Sequence, residues 1–488
     1  MDKIQNIALS ALKKLPLDLN RKGNNMWLSN GMYLVRCLIC LWAVPAIFGA
    51  ELASGPFIAK PYLQLGRMPA DPTYMDVVWH SADAEAVWTV ETRSPGGAWS
   101  KGVNPTYRRI GVPTIEPHRV YRAEVKHLAP GKTFEYRVLR DGQPLFSSTG
   151  TARKAADQPY RLGIFGDIAA DKDPQKKVAY QLSKAKPDAV MVMGDIVYSR
   201  GRITEYRHHF FDCYNGEVAS PETGAPLTRS ILFIGAPGNH DTATTDLEKF
   251  PDAQAYFYYW SQPLNGPTIA PAGANAAKIT GPPANIQALK DSAGEQFPRM
   301  ANFSFDYGNA HWTILDSNPF VDWSDVELRE WLKNDLASAK DATWRFIGFH
   351  HPGFNSAIKH QEEKQMRKVA DLFEEYKVDV VFSGHVHNYQ RSFPVKWETK
   401  TSMWTLDKKF DGASQTRPNG VIYIVTGAGG AGVYNPEQQD YPDTWSKFTD
   451  KFVSKVNSFS QVDVDGRRFE FRQISDTGTV VDHFVITK

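Results

Sequence analysis

The chain has 488 residues, of which 42% are hydrophobic and 12% aromatic, and a formal net charge of +2 at pH 7. This composition excludes a disordered chain and is sufficient for two or three packed domains. The first 50 residues contain six Lys or Arg and two acidic residues, so the remainder has a net charge near −2. That balance excludes the strongly basic surface of a nucleic-acid-binding protein, and we expect no nucleic-acid partner.

Residues 1–50 have the pattern of a secretory signal peptide. An apolar run of 13 residues, CLICLWAVPAIFG at 37–49, follows several basic residues and ends in small ones. It is short for a membrane span, which needs about 20 residues, although a membrane anchor is the alternative. The lead before the run is long, and a start at Met26 or Met32 would give a more ordinary signal. We therefore expect a secreted or periplasmic protein with no membrane segment in its mature form.

One cysteine, Cys213, lies beyond this segment, because Cys37 and Cys40 belong to the apolar run. The mature chain therefore cannot close an internal disulfide, and its stability must come from its core or from bound metal. We expect Cys213 to be a small buried side chain rather than a reactive thiol. The sequence leaves the oligomeric state open.

Residues 57–152 alternate between short polar and apolar runs that are separated by turns, which predicts a β-sandwich. The predicted strands are MDVVWHS, AVWTVETRS, HRVYRAEVKHL, TFEYRVLRDG and PLFSSTGTA. The stretch from Val120 to Tyr136 resembles a fibronectin type III domain. Because a fold does not by itself give a function, we interpret this domain as a structural one.

Residues 158–488 alternate between apolar strands and helices, which predicts an α/β domain with buried sheets. The predicted strands cover 161–165, 189–193, 231–235, 311–315, 344–349, 378–382 and 421–425, and the predicted helices cover 174–185, 324–339 and 361–376. The end of the chain alternates like antiparallel strands. A stretch rich in Pro, Gly and Ala, 261–299, is a lid over the site or a simple insertion.

Polar side chains follow directly after five of these strands. The phrases are Gly166-Asp167, Gly194-Asp195-Ile196-Val197-Tyr198, Gly238-Asn239-His240-Asp241, Phe349-His350-His351-Pro352 and Gly384-His385-Val386-His387. In an α/β sheet the carboxyl ends of the strands open onto one crevice, so these groups are expected to converge. Imidazole and carboxylate groups are ligands for hard to borderline metals, and the set therefore predicts a metal site.

In this order, GD…GDxxY…GNHD…H…GHVH resembles the signature of the metallophosphoesterases, and Tyr198 narrows the resemblance to the purple acid phosphatases. The resemblance covers nearly the whole mature chain, because large members of that family also begin with a fibronectin-like domain. It implies a fibronectin-like sandwich followed by an α/β/β/α four-layer metallophosphoesterase domain.

The resemblance also implies a dinuclear metal centre. The implied ligands are Asp167, Asp195, Tyr198 and His387 for a ferric ion, and Asn239, His350, His385 and the bridging Asp195 for a zinc, manganese or ferrous ion. From the residues alone, either His350 or His351 could be the ligand, and the spacing before Pro352 in the family favours His350.

The resemblance further implies that His240 and His360 contact the substrate and that His240 protonates the leaving oxygen. The predicted function is an exported acid phosphatase that cleaves small phosphate monoesters with hydroxide held at this centre. A phosphodiesterase or nucleotide-specific enzyme on the same site is the first alternative, and a non-catalytic surface-binding protein is a remote one. Arg391, which follows His387, either meets phosphate or braces its loop.

Overall fold

The computed structural model describes residues 55–268, 273–398 and 400–488. The predicted signal peptide, residues 1–50, lies outside the described residues. None of the helices in the described part of the chain combines the length and apolar character that a membrane crossing requires.

The strands are, in chain order, β1 Ala59–Gln64, β2 Met75–Ala82, β3 Trp88–Arg93, β4 Thr106–Ile110, β5 His118–Val125, β6 Thr133–Arg140, β7 Gln143–Thr151, β8 Tyr160–Phe165, β9 Ala189–Met193, β10 Leu232–Ala236, β11 Phe303–Tyr307, β12 Ala310–Ile314, β13 Trp344–Gly348, β14 Val380–Ser383, β15 Tyr389–Ser392, β16 Val395–Glu398, β17 Met403–Leu406, β18 Ile422–Thr426, β19 Thr449–Val453, β20 Ser458–Asp465, β21 Arg468–Ser475 and β22 Val480–Thr487. The α-helices are α1 Asp173–Ala185, α2 Ile203–Glu205, α3 Asp212–Tyr214, α4 Asn239–Thr242, α5 Tyr256–Tyr259, α6 Pro283–Ala293, α7 Val326–Ser338 and α8 Ala370–Glu375, with a π-helical turn at Tyr206–Phe211.

Two large mixed sheets pack face to face and form the centre of the α/β region. One has the order β22-β21-β20-β8-β9-β10-β1-β2-β5-β4, and the other has the order β11-β12-β13-β14-β18-β15-β19. Buried side chains of both sheets, such as Met191 and Phe382, share one core. Helix α1 covers the outer face of the first sheet, and α7 and α8 cover the outer face of the second. This arrangement has the predicted α/β/β/α layers.

The N-terminal region is rich in β-strands, as predicted. All five predicted sandwich strands are present, as β2, β3, β5, β6 and β7. The sequence pattern did not indicate β1, which pairs in parallel with β10 and so joins the strands β2, β5 and β4 to the large sheet. The described residues form one compact unit, and the domain boundaries at 57–152 and 158–488 remain predictions.

Two segments differ from the predicted secondary structure. The predicted helix at 361–376 is a short 3₁₀ segment, Gln365–Val369, followed by α8. The residues before this segment lie in a loop, where Glu363 contacts His360 over 2.7 Å and His385 over 2.8 Å. The stretch 261–299 contains α6, whose buried face is formed by Leu289, Ser292 and Ala293. This stretch therefore includes an ordered helix.

A buried pair of histidines lies where β2 and β5 meet the rest of the structure. Nε2 of His80 lies 2.9 Å from the hydroxyl of Tyr62, and Nε2 of His118 lies 2.9 Å from the hydroxyl of Tyr259. Both imidazoles are completely buried. Burial lowers the pKa of His80 well below its usual value and that of His118 to about 3, and each pKa is lowered further by nearby cationic groups. Both side chains are therefore neutral in the folded protein.

We expect His118 to make the fold sensitive to acid. Its pKa is lowered on folding, so the unfolded chain binds the proton first and stability falls from about pH 6.5 towards pH 3. Between pH 7.5 and 4.5 the wild type should lose about 2–3 kcal/mol more than His118→Gln in urea unfolding. Parallel losses in the two proteins would contradict this assignment.

Candidate metal centre

Five strand ends place polar side chains at one point between the two sheets. Asp167, Asp195 and Asn239 follow β8, β9 and β10 of the first sheet, while His350 and His385 follow β13 and β14 of the second. The relative exposures of Asp167, Asp195 and His350 are 0%, 1% and 0%. The convergence that the sequence predicted is therefore present, and it crosses from one sheet to the other.

One group of donor atoms surrounds Asp167. The hydroxyl of Tyr198 lies 2.9 Å from Oδ1 of Asp167 and 3.0 Å from Nε2 of His387. Nε2 of His387 in turn lies 3.3 Å from the same carboxylate oxygen. These three donor atoms, from three different residues, therefore lie close enough together to bind one cation.

A second group surrounds Asp195. Nε2 of His350 lies 3.1 Å from Oδ1 of Asn239 and 3.2 Å from Oδ1 of Asp195. The His385 ring centroid is 5.0 Å from that of His350, and its backbone amide donates to Oδ2 of Asp167 over 2.7 Å. Ligand atoms of Asp167, Asp195 and His350 all lie within 4.8 Å of one another, so the two groups adjoin.

The histidine tautomers fit metal binding. Nδ1 of His350 donates to the carbonyl of Met193 over 2.8 Å, and Nδ1 of His387 donates to that of Gly432 over 2.7 Å. A neutral imidazole that donates from Nδ1 presents a lone pair at Nε2, and in both residues Nε2 faces the site. Such outer hydrogen bonds commonly orient metal-binding histidines.

The backbone is strained where it carries these groups. Asp167, Asp195 and His385 have φ values of 61°, 48° and 67°, in the left-handed region that costs a non-glycine residue about 1–3 kcal/mol. Gly194 precedes Asp195 with a φ of 78°, and a Cβ there would lie 2.5 Å from Nδ1 of His350. The strained backbone and the close packing beside it therefore direct the ligand-type side chains into the site.

The buried carboxylates dominate the electrostatics. Burial favours a lower pKa for His350, but Asp195 and Asp167 raise it to about 10. Burial and then Asp167 raise the pKa of Tyr198 well above its usual value. A cation among these atoms would neutralise the same carboxylates and release both protons. The oxygen and nitrogen donors therefore fit hard to borderline metal ions.

His240 and His360 border this centre. The backbone amide of His240 donates to Oδ1 of Asp195 over 2.9 Å, its Nδ1 donates to the carbonyl of Ser199 over 2.7 Å, and its Nε2 lies 3.8 Å from Oδ2 of Asp195. The His360 ring lies 4.2 Å from the His385 ring.

The sequence left two assignments open: whether His350 or His351 is the ligand, and whether Arg391 meets phosphate or braces its loop. His351 is buried with its ring 4.3 Å from that of His385 and its Nδ1 3.1 Å from the hydroxyl of Ser317, whereas Nε2 of His350 faces Asp195. Nε of Arg391 contacts Asp482 over 2.7 Å, and Nη1 contacts Asp450 over 2.6 Å. Arg391 therefore braces its strand.

Sequence reasoning missed Asp241, although the residue was visible within the phrase GNHD. Its carboxylate accepts from the backbone amides of Ile196 over 3.1 Å and Gly238 over 2.8 Å. Burial and the charge of Asp195 raise its pKa to about 8. Asp241 thus fixes the two loops that carry Asp195 and Asn239.

Glu363 and Tyr434 were also missed. Oε1 of Glu363 lies 2.7 Å from Nδ1 of His360, and Oε2 lies 2.8 Å from Nε2 of His385. Tyr434 stacks on His387 with ring centroids 3.9 Å apart. The only feature of the sequence that could have indicated Glu363 is its position three residues after His360. No feature of the sequence indicated Tyr434.

Comparison with known proteins identifies relatives. Residues 160–389 match the family model of the calcineurin-like phosphoesterases. A probable inactive purple acid phosphatase 1 of Arabidopsis thaliana is 25% identical over 404 residues, which are 76% of this chain and 58% of that protein. Purple acid phosphatase 15 of the same plant is 23% identical over 392 residues, which are 75% of this chain and 64% of that protein. The chain therefore spans about three fifths of the length of these relatives.

A solved structure shares the fold. The purple acid phosphatase from yellow lupin (Lupinus luteus) seeds matches with a TM-score of 0.62 at 18% identity, covering 88% of this chain and 74% of that one. The predicted metallophosphoesterase fold is thereby confirmed.

We expect Glu363→Gln to weaken metal binding, because the amide cannot match the charge that orients His385. Loss of such an outer partner typically costs about 10–100-fold in metal affinity. Competition with a chromophoric chelator would measure this change. Glu362→Gln is the matched control, since Glu362 pairs with Lys364 at the surface, and equal affinities in the two variants would contradict the role of Glu363.

Proposed function

Because this chain carries a calcineurin-like phosphoesterase domain and is a relative of the purple acid phosphatases, we propose that it is an exported acid phosphatase for phosphate monoesters. The observation that carries the proposal is the convergence of seven ligand-type side chains on one buried point. Export rests on the signal-like pattern of residues 1–50. All seven of the implied ligands are present in the chain, which favours an enzyme over a non-catalytic binding protein.

We assign a ferric ion to Asp167, Tyr198 and His387, and a zinc, manganese or ferrous ion to Asn239, His350 and His385, with Asp195 shared between them. When bound, two such ions polarise a phosphoryl group, lower the pKa of water and neutralise charge in the transition state. The left-handed backbone at Asp167, Asp195 and His385 fixes the directions of these ligand-type side chains.

His240 is suited to give a proton to the leaving oxygen. Its Nδ1–H is occupied by the carbonyl of Ser199, so Nε2 is the nitrogen that can serve the substrate. Nε2 lies 3.8 Å from Oδ2 of Asp195, and it can pass a proton to the substrate while Nδ1 keeps its bond to Ser199. The side chain is 32% exposed, so it is within reach of a bound ester.

His360 has a similar arrangement beside His385. Glu363 occupies its Nδ1 and leaves Nε2 for the substrate. We therefore assign His360 to binding of the phosphoryl group and His240 to protonation.

The assigned metal centre is tested by absorption, metal analysis and turnover of the purified protein. We expect one iron and one further metal per chain, with a broad visible band that Tyr198→Phe removes. Asp195→Asn should lower the hydrolysis of nitrophenyl phosphate by about 10³-fold or more, because both ions lose a ligand. Full activity in this variant, or a preference for the nitrophenyl diester, would contradict the proposal.

His240→Asn should slow catalysis most for poor leaving groups. General acid catalysis contributes about 10²–10⁴-fold where the leaving oxygen needs a proton. We expect a large fall in kcat for an alkyl phosphate and a much smaller one for nitrophenyl phosphate. The same loss for both esters would instead indicate that His240 only binds the phosphoryl group.

A further inference from the structure

We propose that Lys359, at the rim of the candidate metal centre, binds a second anionic group of the substrate. The preferred substrates would then be phosphate esters that carry a further carboxylate or phosphate. This inference rests on the proposed function and adds a substrate class to it.

Tyr434 connects Lys359 to the centre. Its ring lies parallel to that of His387, with an interplanar angle of 14° and centroids 3.9 Å apart. Nζ of Lys359 lies 3.5 Å from the centroid of the same ring. Tyr434 therefore places the ammonium group one aromatic ring away from a candidate metal ligand.

The backbone around Lys359 is also fixed. Its amide donates to the side chain of Asn435 over 3.2 Å, and the amide of Ile358 donates to that of Gln438 over 3.1 Å. The side chain of Asn355 donates to the carbonyl of Lys359 over 3.3 Å. The backbone that carries Lys359 is thus held in place, so the loop itself needs no reordering when the side chain binds an anion.

The charge of Lys359 is available. Its side chain is exposed and has no carboxylate within 4.0 Å in the described part of the chain. The nearby acids are engaged elsewhere, Glu362 with Lys364 and Glu363 with His360. An exposed cation–π contact is weak, so the ammonium can still pair with an anion.

One other cation lies nearby. Nζ of Lys172 lies 3.5 Å from where a Cβ on Gly432 would stand, and the carbonyl of Gly432 accepts from His387. Lys172 is exposed and has no carboxylate within 4.0 Å among the described residues. Lys172 and Lys359 thus place two unpaired cations beside a buried centre that is rich in carboxylates.

Binding of non-hydrolysable phosphonates to the metal-loaded protein tests the inference. At low salt, calorimetry should give a roughly three- to fivefold tighter Kd for 4-carboxyphenylphosphonate than for phenylphosphonate, as expected for an exposed ion pair. This ratio should fall towards one in Lys359→Met and at high salt, and Lys359→Arg should restore it. Lys364→Met, in the same loop, should keep the wild-type ratio.

A ratio near one in the wild type, or a ratio that Lys359→Met leaves unchanged, would overturn the inference while phosphatase activity stands. If the metal-loaded protein binds neither phosphonate and does not hydrolyse phenyl phosphate, the proposed function fails and the inference fails with it.

Discussion

Two carboxylates, Asp167 and Asp195, are buried side by side between two sheets, and this concentration of negative charge organises everything around it. Isolating such charges from water is costly unless cations or hydrogen bonds compensate them. The chain surrounds them with the imidazole of His350, the phenol of Tyr198 and backbone amides such as those of His240 and His385. The chain also accepts left-handed backbone at both aspartates. The free-energy cost of the buried carboxylates and of this backbone conformation is explained if the site binds cations.

The same charges connect the two halves of the α/β region. His350 belongs to one sheet and donates to the carbonyl of Met193 in the other, and the amide of His385 reaches Asp167 in the same way. Ions bound here would therefore join the carboxyl ends of both sheets. Because ions that bind only the folded chain stabilise it by mass action, a metal-loaded centre would contribute to stability as well as to chemistry.

The sequence was sufficient for features that have a local signal. The strands before Asp167 and Asp195 were visible as apolar runs, and the glycines beside these residues marked the turns. The pairing of β1 with β10 was invisible because contacts between distant segments leave no local pattern. Glu363 resembled an ordinary surface charge in a predicted helix, and only the loop shows that it meets two histidines. Tyr434 acquires a role only through the fold that stacks it on His387.

The centre and its rim are built by different means. The inner side chains follow buried strands, and their directions are fixed by backbone geometry and by carboxylates such as Asp241. The rim lies on two loops, around Lys359 and Tyr434, that are joined to each other by hydrogen bonds. A change inside the centre disturbs strain, buried charge and the contact between sheets together. A change at the rim alters one solvent-exposed charge and leaves the ligand-type side chains in place.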